Sequence, residues 1–251
     1  MPPTTVADLL SLLARDPGRP RLTWYGDDGE RIELSGAVLG NWVSKTTNLL
    51  VEEFDAEPGS RVLLDLPPHW RTVVWALATW RVGATAVLAA AAPAQVDVVV
   101  SDLADRRPLD GHTLIGVALP ALARRFPGEL PPGAIDAAAA VMTYGDTIGW
   151  APTPTPDVAA VLADEVVCTH GDLVAWALAA QPPASGPERV LVVGEQGRLG
   201  VTTLAALLGV LAADGSVVLI EHGLGTQLAA DPVRAARLRS TERIDRGDLT
   251  Q

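Results

Sequence analysis

Lysine is almost missing from this chain. Lys45 is the one lysine in 251 residues, set against 18 arginines. Ala, Gly and Pro are abundant as well, the bias that a GC-rich coding sequence produces. Chemistry that requires a lysine therefore has one position to use. Cysteine is equally scarce: Cys168 alone rules out an intramolecular disulfide and fits a reducing compartment, which points to the cytoplasm. Basic clusters are absent too. The net charge is −11, and no basic run exceeds the pairs Arg106-Arg107 and Arg124-Arg125. Nucleic-acid affinity comes largely from clustered Lys and Arg on phosphates, so nucleic-acid binding is excluded and anionic membranes are disfavoured.

Long apolar runs are missing as well. No eighteen-residue stretch is free of charge and dense in large apolar side chains, and Val82 to Ala94 is short and mostly alanine. Met1 to Asp8 has no basic region followed by an apolar run, so no signal peptide is expected. His69, His112, His170 and His222 lie far apart, without the short spacings of a zinc site. Neither a metal centre nor a cofactor is expected.

What is present reads as globular. Hydrophobic residues make up 48% and charged residues 20% of the chain. A chain of this length buries roughly 70–75% of its unfolded surface, enough for a real core. Val6 to Leu13 has helical spacing and stops at Asp16-Pro17-Gly18. Leu22 to Tyr25, the quartet Gly26-Asp27-Asp28-Gly29, then Arg31 to Leu34 read as a hairpin. Ser35 is placed to cap a helix whose apolar face comprises Val38, Trp42, Val43, Leu49 and Leu50.

Strands are expected at Arg61–Leu66, Ala84–Leu88, Val96–Val100 and Thr113–Val117. A helix is expected over His69–Val82, with Val73, Val74, Leu77 and Trp80 inward and Gly83 as its cap. Ala134 to Met142 reads as helical. Beyond Pro152, Pro154 and Pro156 the pattern returns: a helix over 172–180, a strand over 189–193, a helix over 201–213 and a strand over 216–220. The polar stretch from Arg234 is expected to fray or lie on the surface.

Alternating apolar strands and amphipathic helices predict an α/β fold of mainly parallel sheets built from βαβ units in two lobes. The expected limits are 1–150 for the first lobe, 151–228 for the second and 229–251 for a polar tail. Length also permits one compact domain. Trp70, Trp75 and Trp80 share one helix and Trp42 its neighbour. Most tryptophans are expected in the core, and an exposed one would mark a partner surface.

Several segments together resemble the front part of adenylate-forming enzymes, the superfamily of acyl-CoA synthetases and peptide-synthetase adenylation domains. Leu22 to Leu34 resembles their opening hairpin and Ser35 to Leu50 the helix after it. Pro58-Gly59-Ser60-Arg61-Val62-Leu63-Leu64-Asp65-Leu66-Pro67 resembles Pro-Gly-Asp-Arg-Val-Ala-Leu-Leu-Leu-Pro. Ala76 to Ala84 resembles the Leu-Ala-x-x-Lys-Ala-Gly-Ala that follows. Thr169-His170-Gly171-Asp172-Leu173 resembles the Thr-His-x-Asn-Leu that trails the family's phosphate loop. Asp214 to Leu219 resembles a later Gly-Gly-x-Val-Val-Leu. The similarity spans about residues 5–221 with gaps, strongest over 58–84, and extends to bacterial proteins with a truncated, loopless version of this domain.

The departures from the family matter more. Its Tyr-Thr-Ser-Gly-Thr-Thr-Gly-x-Pro-Lys-Gly loop is expected between Leu162 and Thr169, where only Ala163-Asp164-Glu165 precedes Val166. A triphosphate cradle needs glycines, hydroxyls and usually a lysine, and two carboxylates stand there instead. Each charge-assisted hydrogen bond to phosphate contributes about 1.5–3 kcal/mol, so losing two weakens binding on the order of a thousandfold. The family's later adenine-binding and acidic motifs, and its C-terminal adenylation lysine, have no counterpart in these residues. No catalytic residue carries over.

The resemblance therefore implies a pseudoenzyme acting as a binding or interaction module, by self-association or with a protein partner. The alternative is an enzyme half that binds a nucleotide or acyl compound and needs a second chain. The candidate ligand contacts are Pro68 and His69 at a strand end, Thr169 and His170, and Gly194, Gly197, Arg198, Gly200 and Thr202. The segment Gly194 to Thr203 follows a strand and opens a helix, so its backbone N–H groups could meet an anion; the plainer reading is a tight turn. It is not a P-loop, since Val201 stands at the lysine position. Cys168 and His170 share a strand face, but no third orienting group is identifiable, and a buried structural thiol is favoured.

Overall fold

The computed structural model describes residues 2–88, 95–103, 112–163, 166–182 and 184–249. Residues 89–94, Arg106-Arg107 and Asp164-Glu165, all considered above, lie outside the described residues. The chain opens with α1 (Val6–Leu13), β1 (Pro20–Tyr25), β2 (Arg31–Ser35), α2 (Gly36–Phe54), β3 (Arg61–Asp65) and α3 (Trp70–Arg81). Then come β4 (Thr85–Leu88), β5 (Val98–Ser101), β6 (Thr113–Gly116), β7 (Ile135–Asp136), α4 (Ala137–Ala140), β8 (Ala159–Ala163) and β9 (Val166–Thr169). The remainder is α5 (Leu173–Ala179), β10 (Arg189–Val193), α6 (Val201–Ala212), β11 (Ser216–Ile220), α7 (His222–Ala230) and α8 (Pro232–Glu242). Two compact units interleave along the sequence. Met1–Gly40, Pro67–Trp70 and Val174–Gln251 form one, and Asn41–Leu66 with Arg71–Leu173 form the other.

The first unit holds a four-stranded sheet in the order β10-β11-β1-β2. Strands β10, β11 and β1 run parallel, and β2 returns antiparallel from the turn that Gly26 closes on Glu30. Because side chains alternate across a strand, Leu191, Val193, Val218 and Ile220 share one face. They pack with Leu224, Leu228 and Ala235 from α7 and α8. Helix α6 is buried nearly all round, from Leu204 to Leu211, as suits a helix inside a parallel α/β layer. Thr5 and Asp8 form a reciprocal capping box that starts α1.

The second unit holds a seven-stranded sheet in the order β7-β6-β5-β3-β4-β8-β9, parallel except for the β8–β9 pair. Its central strands β4 and β5 are buried at every position, hence their unbroken apolar runs. Leu63, Val87, Val96, Val99 and Leu114 form one core cluster. Val73, Val74, Leu77 and Trp80 of α3 are buried as the spacing predicts, and Trp80 Nε1 donates to the Ala160 carbonyl at 2.8 Å. Gly83 ends α3 at φ 77°, and a Cβ there would stand 2.9 Å from Pro58 and 3.0 Å from Pro154. Both the backbone sign and the close approach require glycine.

Three expectations need correction. Val38 does not face inward: it is 41% exposed, and Leu39 is buried in its place. The helix expected over 134–142 starts later: residues 137–140 are α-helical and Val141–Thr143 continue as a 3-10 turn. Ile135–Asp136 pair with β6, and the Asp136 carboxylate then caps the four-residue α4. The stretch from Arg234 lies largely on the surface, as expected, but it does not fray. It forms most of α8, started by the Asp231 cap on Arg234 N, and it buries Ala235 and Glu242.

Candidate functional site

The segment that resembles the surroundings of a phosphate loop lies in the second unit. Strands β8 and β9 pair antiparallel, with Leu162 opposite Val167 and Ala163 opposite Val166. Two residues therefore join the strands, the length of the tightest hairpin connection. No chain is left over to wrap a triphosphate.

The residues after this hairpin are engaged by the protein itself. Thr169 Oγ1 accepts from Asp172 N at 3.3 Å and donates to Asp172 Oδ2 at 2.9 Å. His170 N and Gly171 N donate to the carbonyls of Val158 and Pro156, both at 2.9 Å. The buried His170 ring hydrogen-bonds the backbone at Gly83 and Ala84, yet burial dominates and holds its pKa below the ordinary value. Its imidazole is neutral at neutral pH. Burial, and secondarily Asp172, push the Cys168 thiol up to about 11. A thiol so raised supplies almost no thiolate. Its Sγ lies 3.6 Å from the Thr169 carbonyl, and among the described residues no hydrogen bond joins it to His170. Lys45 is bound to Asp146 at 2.8 Å and to the Tyr144 carbonyl at 2.6 Å, where it anchors a loop onto α2.

The other candidates lie in the first unit, at the carboxyl ends of parallel strands, where open α/β sheets usually bind ligands. Pro68 and Gly194 do come together: a Cβ on residue 194 would stand 2.4 Å from Pro68 Cβ. His69 is 1% exposed, and its ring meets Trp24 edge-on at 4.2 Å between centroids. Pro68 and His69 are therefore packing residues. Gly197, Arg198, Gly200 and Thr202 follow the same strand, in the loop and first turn of α6. Gly197 has φ 87°, as a tight turn requires. Thr169 and His170 belong to the second unit.

Two backbone donors at these strand ends already have anionic partners, which sequence reading missed. Glu195 Oε1 accepts from Gly200 N at 2.6 Å, closing the loop in front of α6. Asp27 Oδ1 accepts from Leu224 N at 2.5 Å and so occupies the first turn of α7. Glu221 Oε2 accepts from Asp27 N at 2.8 Å. Burial raises the Glu221 pKa, and Asp27, Asp28 and Glu30 add to that, whereas the Asp27 N–H opposes it. An incoming phosphate would have to displace a carboxylate and approach several others. The Asp27–Leu224 bond joins residues 197 apart, so no local pattern could announce it. Glu195, five residues before the glycine it binds, was the one readable signal. Among the described residues, no cluster of three metal-ligating side chains exists, and no helix is long and apolar enough to cross a membrane.

No family model matches the chain. It is 34% identical over 254 residues to a curated Mycobacterium tuberculosis protein named "TIGR03089 family protein", with 97% of this chain and 98% of that one covered. Among solved structures it is similar to acetoacetyl-CoA synthetase from Streptomyces lividans, with a TM-score of 0.71 and 18% identity. That match covers 90% of this chain and 40% of that one. The Brucella canis acyl-CoA synthetase gives a TM-score of 0.65 at 18% identity, covering 90% of this chain and 48% of that one. A fused adenylation–PCP di-domain from Klebsiella oxytoca gives 0.64 at 15% identity, covering 92% and 43%. The chain thus spans less than half the length of these solved structures, and at such identities they show the fold alone. Over the part covered, that fold is adenylate-forming-enzyme-like. By its curated relative, the chain belongs to the TIGR03089 family.

Proposed function

We propose that this chain is a non-catalytic adenylate-forming-enzyme-like protein, a pseudoenzyme that serves as a cytoplasmic binding or interaction module. One observation carries the reading: Ala163 pairs directly with Val166, so two residues stand where a phosphate-gripping loop is needed. The neutral His170, the protonated Cys168 and the tethered Lys45 agree with it, since none is poised for nucleophilic or cationic work. An interaction role draws support from Val167, 66% exposed on the outermost strand of the seven-stranded sheet, and from Trp150, 69% exposed. The cytoplasmic placement rests on the single unpaired cysteine. Calorimetric titration with MgATP tests the reading. No saturable heat is expected up to millimolar nucleotide, and micromolar, magnesium-dependent binding would overturn it.

A second reading is an enzyme half that gains its missing groups from another chain. What favours it is the coverage of less than half of each solved enzyme. Pyrophosphate exchange measured with co-encoded chains added singly decides this; exchange that appears only with one of them favours the second reading.

A further inference from the structure

A cavity of about 620 Å³ opens beside the first residues of three strands, Pro20, Arg189 and Ser216, and extends to Tyr25 and its strand partner Arg31. Arg19, Arg31, Arg189 and Arg243 line it, together with three carboxylates, Glu33, Glu242 and Asp245. Four guanidiniums against three carboxylates is an unusual balance in a chain of net charge −11.

The carboxylates are already committed. Glu242 accepts from Arg31 Nε at 3.0 Å, Arg189 Nη2 at 2.5 Å and the Tyr25 hydroxyl at 2.5 Å. Glu33 accepts from Arg31 Nη2 at 2.6 Å, and Asp245 accepts from Arg189 N at 2.7 Å. Arg19 and Arg243 are less committed. Arg19 makes only a long ion pair with Asp214 at 4.0 Å, and no hydrogen bond or ion pair engages the Arg243 guanidinium among the described residues. Arg243 also sits in the left-handed region, φ 51° and ψ 50°, at the cap of α8, where glycine is the unstrained choice. A cation there complements the helix dipole, but the dipole accounts for one arginine and not for Arg19 as well.

We propose that this cavity is an anion-binding site for a small molecule carrying two or more negatively charged oxygen groups, phosphate or carboxylate. Arginine suits both, since its planar fork binds either group in bidentate fashion. The volume lies in the range of small-molecule sites. The Tyr25 ring, Pro20 and Pro187 offer an apolar wall for the rest of the ligand.

The test is calorimetric titration of the whole chain at low ionic strength with inorganic pyrophosphate in one arm and citrate in the other. Three variants accompany the wild type: Arg243→Gly, Arg19→Ala and Arg125→Ala, an exposed arginine of the other unit. Arg243→Gly is the informative one, because it deletes the guanidinium while relaxing the backbone, so lost binding cannot be ascribed to lost folding. Saturable binding that weakens at least about tenfold in Arg243→Gly and in Arg19→Ala, and persists in Arg125→Ala, supports the site. The tighter arm then names the ligand chemistry. No saturable binding of either anion up to about 10 mM, or equal binding by the wild type and both cavity variants, overturns it.

Discussion

The carboxyl-end loops of the four-stranded sheet and the arginine-lined cavity carry opposite balances of charge. At the carboxyl ends of the sheet's strands, Glu195 and Asp27 each take one of the amide donors that such folds normally offer to anions, with Glu221 and Asp28 close by. In the cavity lined by Arg19, Arg31, Arg189 and Arg243, buried Glu242 neutralises Arg31 and Arg189, Arg19 has only a 4.0 Å pairing with Asp214, and Arg243 has no ion pair among the described residues. The fold alone would direct a search for ligands to the carboxyl-end loops. The side chains direct it to the cavity. Architecture supplies a location, and the charges placed there decide whether it remains one.

The comparison can be broken most severely at Glu242. Replacing it with Ala leaves two guanidiniums without their shared carboxylate and is expected to cost about 3 kcal/mol in urea unfolding. A loss under about 1 kcal/mol would mean the network is ornamental. Its pH dependence has a definite sign. Glu242 is held down at about 2 in the fold, despite burial, by hydrogen bonds from Arg31, Tyr25 and Arg189, against an ordinary glutamate value of 4.5. Its stabilisation is therefore complete above the unfolded value and is lost as pH falls from about 5 toward 2. Glu242→Gln should flatten that acid limb in thermal melts.

Next in size is Gly194→Val, whose Cβ would collide with Pro68. It is expected to cost about 2 kcal/mol by chemical denaturation, as overpacking does. Asp27→Ala removes the carboxylate from the first turn of α7 and should cost about 1 kcal/mol, seen as faster amide exchange at Leu224. Smallest, and opposite in direction, is Glu221→Gln. Burial raises the Glu221 pKa, so its ionised form disfavours the fold, and folding binds a proton more tightly. The variant should gain under about 1 kcal/mol at pH 7. That gain should shrink as pH falls through the raised folded value, where the native carboxyl is protonated.

Legibility followed the range of the interactions. The β1–β2 hairpin was readable because Gly26-Asp27-Asp28-Gly29 announces its turn, and β3, α3 and β4 because apolar periodicity is local. Helix α8 was misread because its composition is polar and its anchor, Glu242, finds Tyr25 at a separation of 217 residues. The candidate site divides the same way. The missing loop is visible as a gap in sequence, whereas the carboxylates that close the strand ends are placed by contacts no local pattern encodes.

Activation chemistry gives the most direct measurement of the central claim. Purified chain, alone, with MgATP and a panel of carboxylic acids should show no ATP–pyrophosphate exchange above the protein-free control, and no acyl-adenylate by mass spectrometry. Exchange that depends on both the acid and the protein would contradict the account.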